Sequence, residues 1–137
     1  MHYDKWTEEE PITPNTLIRI ITSMNSLLNK DSKKPIIVHS TYGTRRAAIY
    51  VITALLMQQL AETQKMSVVS AAKAVCKRRY GVLRRREDFK LILETVLQYA
   101  KQTDLVKDDQ TFHRVMQILE ERPQVIPDMN APSHENY

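Results

Sequence analysis

Pro35-Ile36-Ile37-Val38-His39-Ser40-Thr41-Tyr42-Gly43-Thr44-Arg45-Arg46-Ala47 is the stretch on which the fold turns. Residues 35–39 form an apolar run with the length and β-branched content of a short, fully buried strand, and residues 40–46 follow as a loop. Beyond the loop, Ala47 to Met57 (AAIYVITALLM) is the longest apolar stretch of the chain and lies in a helix expected over residues 46–64. It is too short to cross a bilayer, which takes roughly 20 residues, so its length favours a buried core helix. Glycine is scarce: only Gly43 and Gly81 occur. Gly43 stands in the junction itself, where a left-handed backbone or close approach of a ligand calls for a residue without Cβ. A strand–loop–helix junction points several backbone N–H groups and the positive end of the helix at one spot. That is an anion site, with Arg45 and Arg46 at its helix end as bidentate donors for phosphate oxygens. The competing reading is a plain strand-to-helix turn with two solvated arginines, and the loop alone does not decide between them.

Outward from the junction, Leu17, Ile18, Ile21, Met24, Leu27 and Leu28 recur at helical spacing and predict a helix over residues 15–29, with Asn15 as its cap. The acidic opening before it carries Pro11 and Pro14 and reads as a loop; KDSKKP after it is a polar turn. Downstream, helices are expected over residues 67–78, 87–101 and, more weakly, 109–121, with Arg79-Tyr80-Gly81 breaking the first from the second. Residues 1–121 are the expected domain portion, and residues 122–137, with three prolines and little periodicity, a flexible tail. Helices thus surround a single strand, which cannot satisfy its own backbone groups. Its sheet partners are expected from residues before Met1 or from another chain.

The chain of 137 residues suits one domain or a large piece of one. Lys and Arg outnumber Asp and Glu by 20 to 16, a mild excess that favours anionic partners only where it is clustered. The lone Cys76 cannot form an internal disulfide, and MHYDKWTEEE holds no apolar run of the signal-peptide kind, so a reducing, cytoplasmic setting is expected. Neither a cofactor nor a metal site is expected.

The wider context shifts the balance at the loop. PIIVHSTYGTRRA resembles the phosphate-binding loop of the protein tyrosine phosphatases, roughly (I/V)HCxxGxxR(S/T)G: His39, Gly43 and Arg46 fall in register, and Ser40 takes the place of the cysteine. Upstream, His2-Tyr3-x-x-Trp6 is similar to the family's HYxxWPD segment. Downstream, Arg78-Arg79-Tyr80-Gly81-Val82-Leu83 is similar to its QRPGMV segment, and the resemblance covers residues 2–101. It implies an α/β fold, a mixed twisted sheet flanked by helices, of which this chain is the mostly helical C-terminal part with one strand. It also implies a front half carrying most of the sheet, which explains the orphan strand. The phosphate-binding residues it implies are Ser40, Thr41, Tyr42, Gly43, Thr44, Arg45 and Arg46.

In that family a cysteine thiolate attacks phosphorus, an aspartic acid of the WPD loop protonates the leaving phenol, and a glutamine positions the hydrolytic water. Here Ser40 holds the nucleophile position, and a hydroxyl needs an adjacent base that the loop does not supply. Thr7 and Glu8 replace Pro and Asp, and Glu8 reads more readily as one of three solvated glutamates than as an acid. Arg84 and Asp88 occupy the glutamine positions, Ala47 replaces a Ser or Thr, and Arg45 and Ala48 replace glycines. An engineered substrate trap would change the cysteine alone. With several catalytic positions changed together, the chain is expected to be a pseudophosphatase in which Ser40, Glu8, Arg84 and Asp88 are degenerate catalytic positions.

What the resemblance leaves is binding. The expected role is capture of a phosphotyrosine protein, a phosphorylated kinase activation loop for instance, by a regulator or scaffold. Two alternatives stand beside it: an interaction domain whose pocket is plugged by Tyr42 and Arg45, and a residual phosphatase using Ser40 or Glu8. On the family template Arg84 would face the pocket and Arg79 would play a structural part. Lys77, Arg78, Arg79, Arg84, Arg85 and Arg86 would then form a basic rim. A nuclear-localisation or nucleic-acid patch is a competing reading of this run, but no aromatic interleaving accompanies it and no nucleic-acid partner is expected. A solvated charged face is another. Cys76 reads as a small core residue rather than a substitute nucleophile.

Overall fold

In the computed structural model the described residues are 1–28 and 35–105, with Gln110, His113, Arg114 and Gln117. Helix α1 (Pro14–Leu27) opens with Pro14 in its first turn, where the missing N–H is harmless. The cap is Thr13, whose hydroxyl accepts the Thr16 N–H at 3.3 Å, and not the expected Asn15. Asn15 Oδ1 instead accepts from the side-chain amides of Gln98 and Gln102, each at 2.8 Å.

Helix α2 (Arg46–Thr63) is apolar on several faces, burying Ala47, Ile49, Ile52, Leu56 and Leu60 among others, as the length and composition of its apolar run require. Gln64 ends it in the left-handed conformation, its N–H reaching Leu60 O. Helix α3 (Val68–Cys76) starts after Ser67, whose hydroxyl accepts the Ser70 N–H, and ends two residues short of the expected Arg78. Helix α4 (Arg86–Gln102) carries Glu87 and Asp88 in its first turn and Lys101 in its last, each sign matched to the helix dipole.

Helix α4 packs against both α1 and α2, while α3 packs on α2. Where they meet, Leu17 and Ile21 of α1, Ile49, Ile52 and Leu56 of α2, and Ile92 and Val96 of α4 are sealed from solvent. Each such side chain contributes roughly 1.5–3 kcal/mol of burial free energy. No helix among the described residues is long and apolar enough to cross a membrane.

The expected buried strand is not formed. Residues 35–39 run extended without ladder bonds, and Ile36 and Ile37 are 50% and 84% exposed. A strand exists only as one member of a ladder, and no strand occurs among the described residues to supply the other. The described part of the chain is therefore helical, and the sheet of the expected α/β fold is absent from it. The weak helix over 109–121 and the tail over 122–137 lie outside the described residues, apart from the positions named above.

Candidate functional site

The loop between the extended segment and α2 is held at three points. Gly43 takes φ +67°, and a Cβ there would sit 3.2 Å from the Arg79 guanidinium. Both the backbone and the space therefore demand glycine. Arg79 Nη2 donates to the Tyr42 carbonyl at 2.9 Å, tying the loop to the turn after α3 and giving Arg79 the structural part expected of it. Inside the loop, Ser40 Oγ accepts the Gly43 N–H at 3.2 Å and the Ala47 N–H at 3.4 Å. The backbone donors of the junction thus converge on the oxygen at position 40.

Ser40, Thr41 and Arg46 line a cavity of about 830 Å³ whose walls include Trp6, Met24 and Tyr50. The remaining loop residues, Tyr42, Gly43, Thr44 and Arg45, do not line it. Tyr42 is 82% exposed and turned away from the loop, so it plugs nothing. His39 lines the cavity wall, but both partners of Ser40 Oγ are backbone amides, and no base bonds to the hydroxyl. Burial raises the Tyr50 hydroxyl above its ordinary pKa, so it too stands as a neutral group.

Arg45, which precedes α2, leaves the loop altogether. Its Nε donates to Asp88 Oδ1 at 2.9 Å and Oδ2 at 3.2 Å, and its Nη1 donates to Glu8 Oε1 at 3.0 Å. The hydrogen bond to Asp88 is the main reason the Arg45 guanidinium holds its proton even more firmly than usual; partial burial opposes it, and the charges of Asp88, Glu8 and Glu87 assist. Arg85 Nη1 adds a looser contact to Glu8 at 3.6 Å. Asp88, at the start of α4, is almost fully buried, whereas Glu8 is exposed.

Arg84 does not face the cavity as the template suggested. Its guanidinium lies 5.4 Å from the centre of the Tyr80 ring and against Gly81, on an exposed turn. A cation–π contact on a neighbouring residue of the same turn holds it there. Lys77, Arg78, Arg79, Arg84, Arg85 and Arg86 are all exposed. Cys76, the last residue of α3, is half-buried, and burial pushes its thiol up. No group of three metal-ligating side chains comes together among the described residues.

Sequence reasoning placed Glu8, Arg45 and Asp88 at separate positions and missed that they meet. The pairs are 37 and 43 residues apart, so no local spacing rule reaches them. The available signal was the arginine at a loop position where the resemblance calls for glycine, since a side chain that large must find partners outside the loop.

Chemically the arrangement is an anion-binding concavity with a guanidinium and backbone donors but no activated nucleophile. The comparisons with known proteins agree on its kind. The family profile described as protein-tyrosine phosphatase matches residues 1–98. The receptor-type tyrosine-protein phosphatases epsilon of Rattus norvegicus and Mus musculus are each 22% identical over 120 residues, covering 87% of this chain and 17% of the relative. The chain therefore spans about one sixth of the length of these relatives. No solved structure matches it. With its phosphate-loop geometry and a family match over most of its length, the chain belongs to the protein-tyrosine phosphatase family.

Proposed function

We propose that this is a catalytically inactive tyrosine phosphatase-like domain that holds phosphotyrosine on a partner protein, as a regulator or scaffold, without cleaving it. The observation that carries the reading is the environment of Ser40. Its oxygen stands at the focus of the loop and bonds only to the amides of Gly43 and Ala47. A thiol there could ionise beside a helix N-terminus, whereas a hydroxyl starts far less acidic and needs a base. Glu8, at the position of the family's acid, is engaged by Arg45 and Arg85, and Asp88, at a glutamine position, by Arg45.

Binding needs less than catalysis. Arg46 lines the cavity beside Ser40, and the amide bonds to Ser40 Oγ are long enough to be given up readily to a phosphate oxygen. Exposed arginines of residues 78–86 favour acidic flanks on the ligand, as in a phosphorylated kinase activation loop. The alternative of a pocket plugged by Tyr42 and Arg45 is disfavoured by the outward course of both side chains.

The test is a phosphotyrosine peptide library against the intact protein, with unphosphorylated controls and an Arg46→Met variant. Phosphate-dependent binding that the variant loses supports the reading. A folded protein that binds no phosphopeptide removes it and leaves an interaction domain using another surface. Turnover of an aryl phosphate above a no-protein control would refute the inactivity.

A further inference from the structure

Three segments far apart in the sequence are joined by one guanidinium, and the two arms of that junction are unequal. The arm to Asp88 has two hydrogen bonds and ends on a side chain only 6% exposed. The arm to Glu8 has one hydrogen bond and ends on a side chain 67% exposed. Exposed ion pairs are weak and yield to salt, whereas breaking a buried pair strands a charge. Competition for Arg45 must therefore break the Glu8 arm first.

The segment on that weak arm is a self-contained turn. Glu10 N–H donates to Thr7 Oγ1 at 2.9 Å, and Thr7 N–H donates to Glu10 O at 3.3 Å. Trp6 before the turn and Ile12 after it pack on the core, so the turn is pinned at both feet while residues 7–10 stand exposed. Of the bonds from the turn to the phosphate loop, the one from Arg45 is the short one, since Arg85 reaches Glu8 only at 3.6 Å from the start of α4.

We infer that Glu8, Arg45 and Asp88 form an anion-releasable latch, in which Asp88 anchors Arg45 and a phosphate group arriving at the neighbouring loop displaces Glu8 and frees the turn at residues 7–10. A guanidinium prefers the paired oxygens of a phosphate to a single carboxylate oxygen. The displaced turn remains tethered by Trp6 and Ile12, so the motion is local. The latch does not depend on phosphotyrosine capture, because any phosphate able to reach Arg45 releases it.

The experiment is amide hydrogen exchange on the intact protein, followed at residues 7–10 in inorganic phosphate and in chloride at matched ionic strength. In the wild type, phosphate speeds exchange of the Thr7 and Glu10 amides more than chloride does. Glu8→Gln, an exposed change that leaves the core in place, speeds them about threefold without phosphate, as suits loss of one exposed ion pair, and abolishes the extra phosphate response. Asp88→Asn, which loosens the anchor, also speeds exchange at 7–10. Equal exchange at 7–10 in wild type and Glu8→Gln, with α1, α2 and α4 protected alike in both, overturns the latch. So does a phosphate effect no larger than that of chloride.

Discussion

Arg45 Nε and the Asp88 carboxylate are joined by two hydrogen bonds, 2.9 and 3.2 Å, that link the phosphate loop to the first turn of α4. The pair is conspicuous because Asp88 is almost fully buried and Arg45 supplies both of these bonds. Removing the guanidinium alone, in Arg45→Ala, leaves a buried carboxylate without its cation and costs about 3 kcal/mol. Replacing both, in Arg45→Met with Asp88→Leu, recovers most of that loss. Urea unfolding of the two variants against wild type checks it, and equal stability of the single and double variants would contradict it.

Gly43 carries a steric and a conformational demand together. At φ +67°, with Arg79 3.2 Å from the site of a Cβ, Gly43→Ala is expected to cost about 1–2 kcal/mol. Adding Arg79→Ala relieves the contact but not the backbone strain, and it also removes the bond to Tyr42 O. Thermal unfolding should therefore show the double variant no more stable than Gly43→Ala alone.

Restoring the thiol is not expected to restore hydrolysis. In Ser40→Cys the sulfur would lie beside the Gly43 and Ala47 amides, which favour a thiolate. Glu8 and Asp88 would still be bound to Arg45. The expected outcome is a thiol that alkylates faster than Cys76 in a protein without aryl phosphate turnover. Multiple turnover by the single variant would show that the remaining positions are not limiting.

Cys76 gives a pH prediction whose sign follows from burial. Burial raises the folded-state thiol above its unfolded value, so the folded state holds the proton more tightly. Its share of stability is complete below the unfolded pKa, about 8.5, and declines as pH rises through the folded value. Reaction with an aromatic disulfide reagent at pH 8 should be slower for the folded protein than for the urea-unfolded one. Cys76→Ala should flatten that part of the alkaline stability slope, and an unchanged slope would remove Cys76 as its source.

The helices were legible because their signals are local. Leu17, Ile18 and Ile21 share one face at helical spacing, and the apolar run after Ala47 can be covered only by burial on several sides. Caps were harder to read. Thr13 and Asn15 are both acceptable capping residues, and the choice fell to Thr13 because Gln98 and Gln102 of α4 engage Asn15. The strand expected over 35–39 failed for a different reason. Hydrophobic pattern states that a segment can be buried, but a ladder also needs a partner, and the described residues contain none.

The order of residues by itself determined the helical segments, the loop with its required Gly43, the family and the replacement of the nucleophile by Ser40, since each rests on residue type and short spacing. Tertiary structure alone decided where the long side chains went. Tyr42 turns to solvent, Arg84 lies on Tyr80, and Arg45 leaves the loop to join Glu8 and Asp88. The physical reason is reach: an arginine can find its carboxylate on any element that packing brings near, and packing is a property of the assembled helices rather than of any one segment.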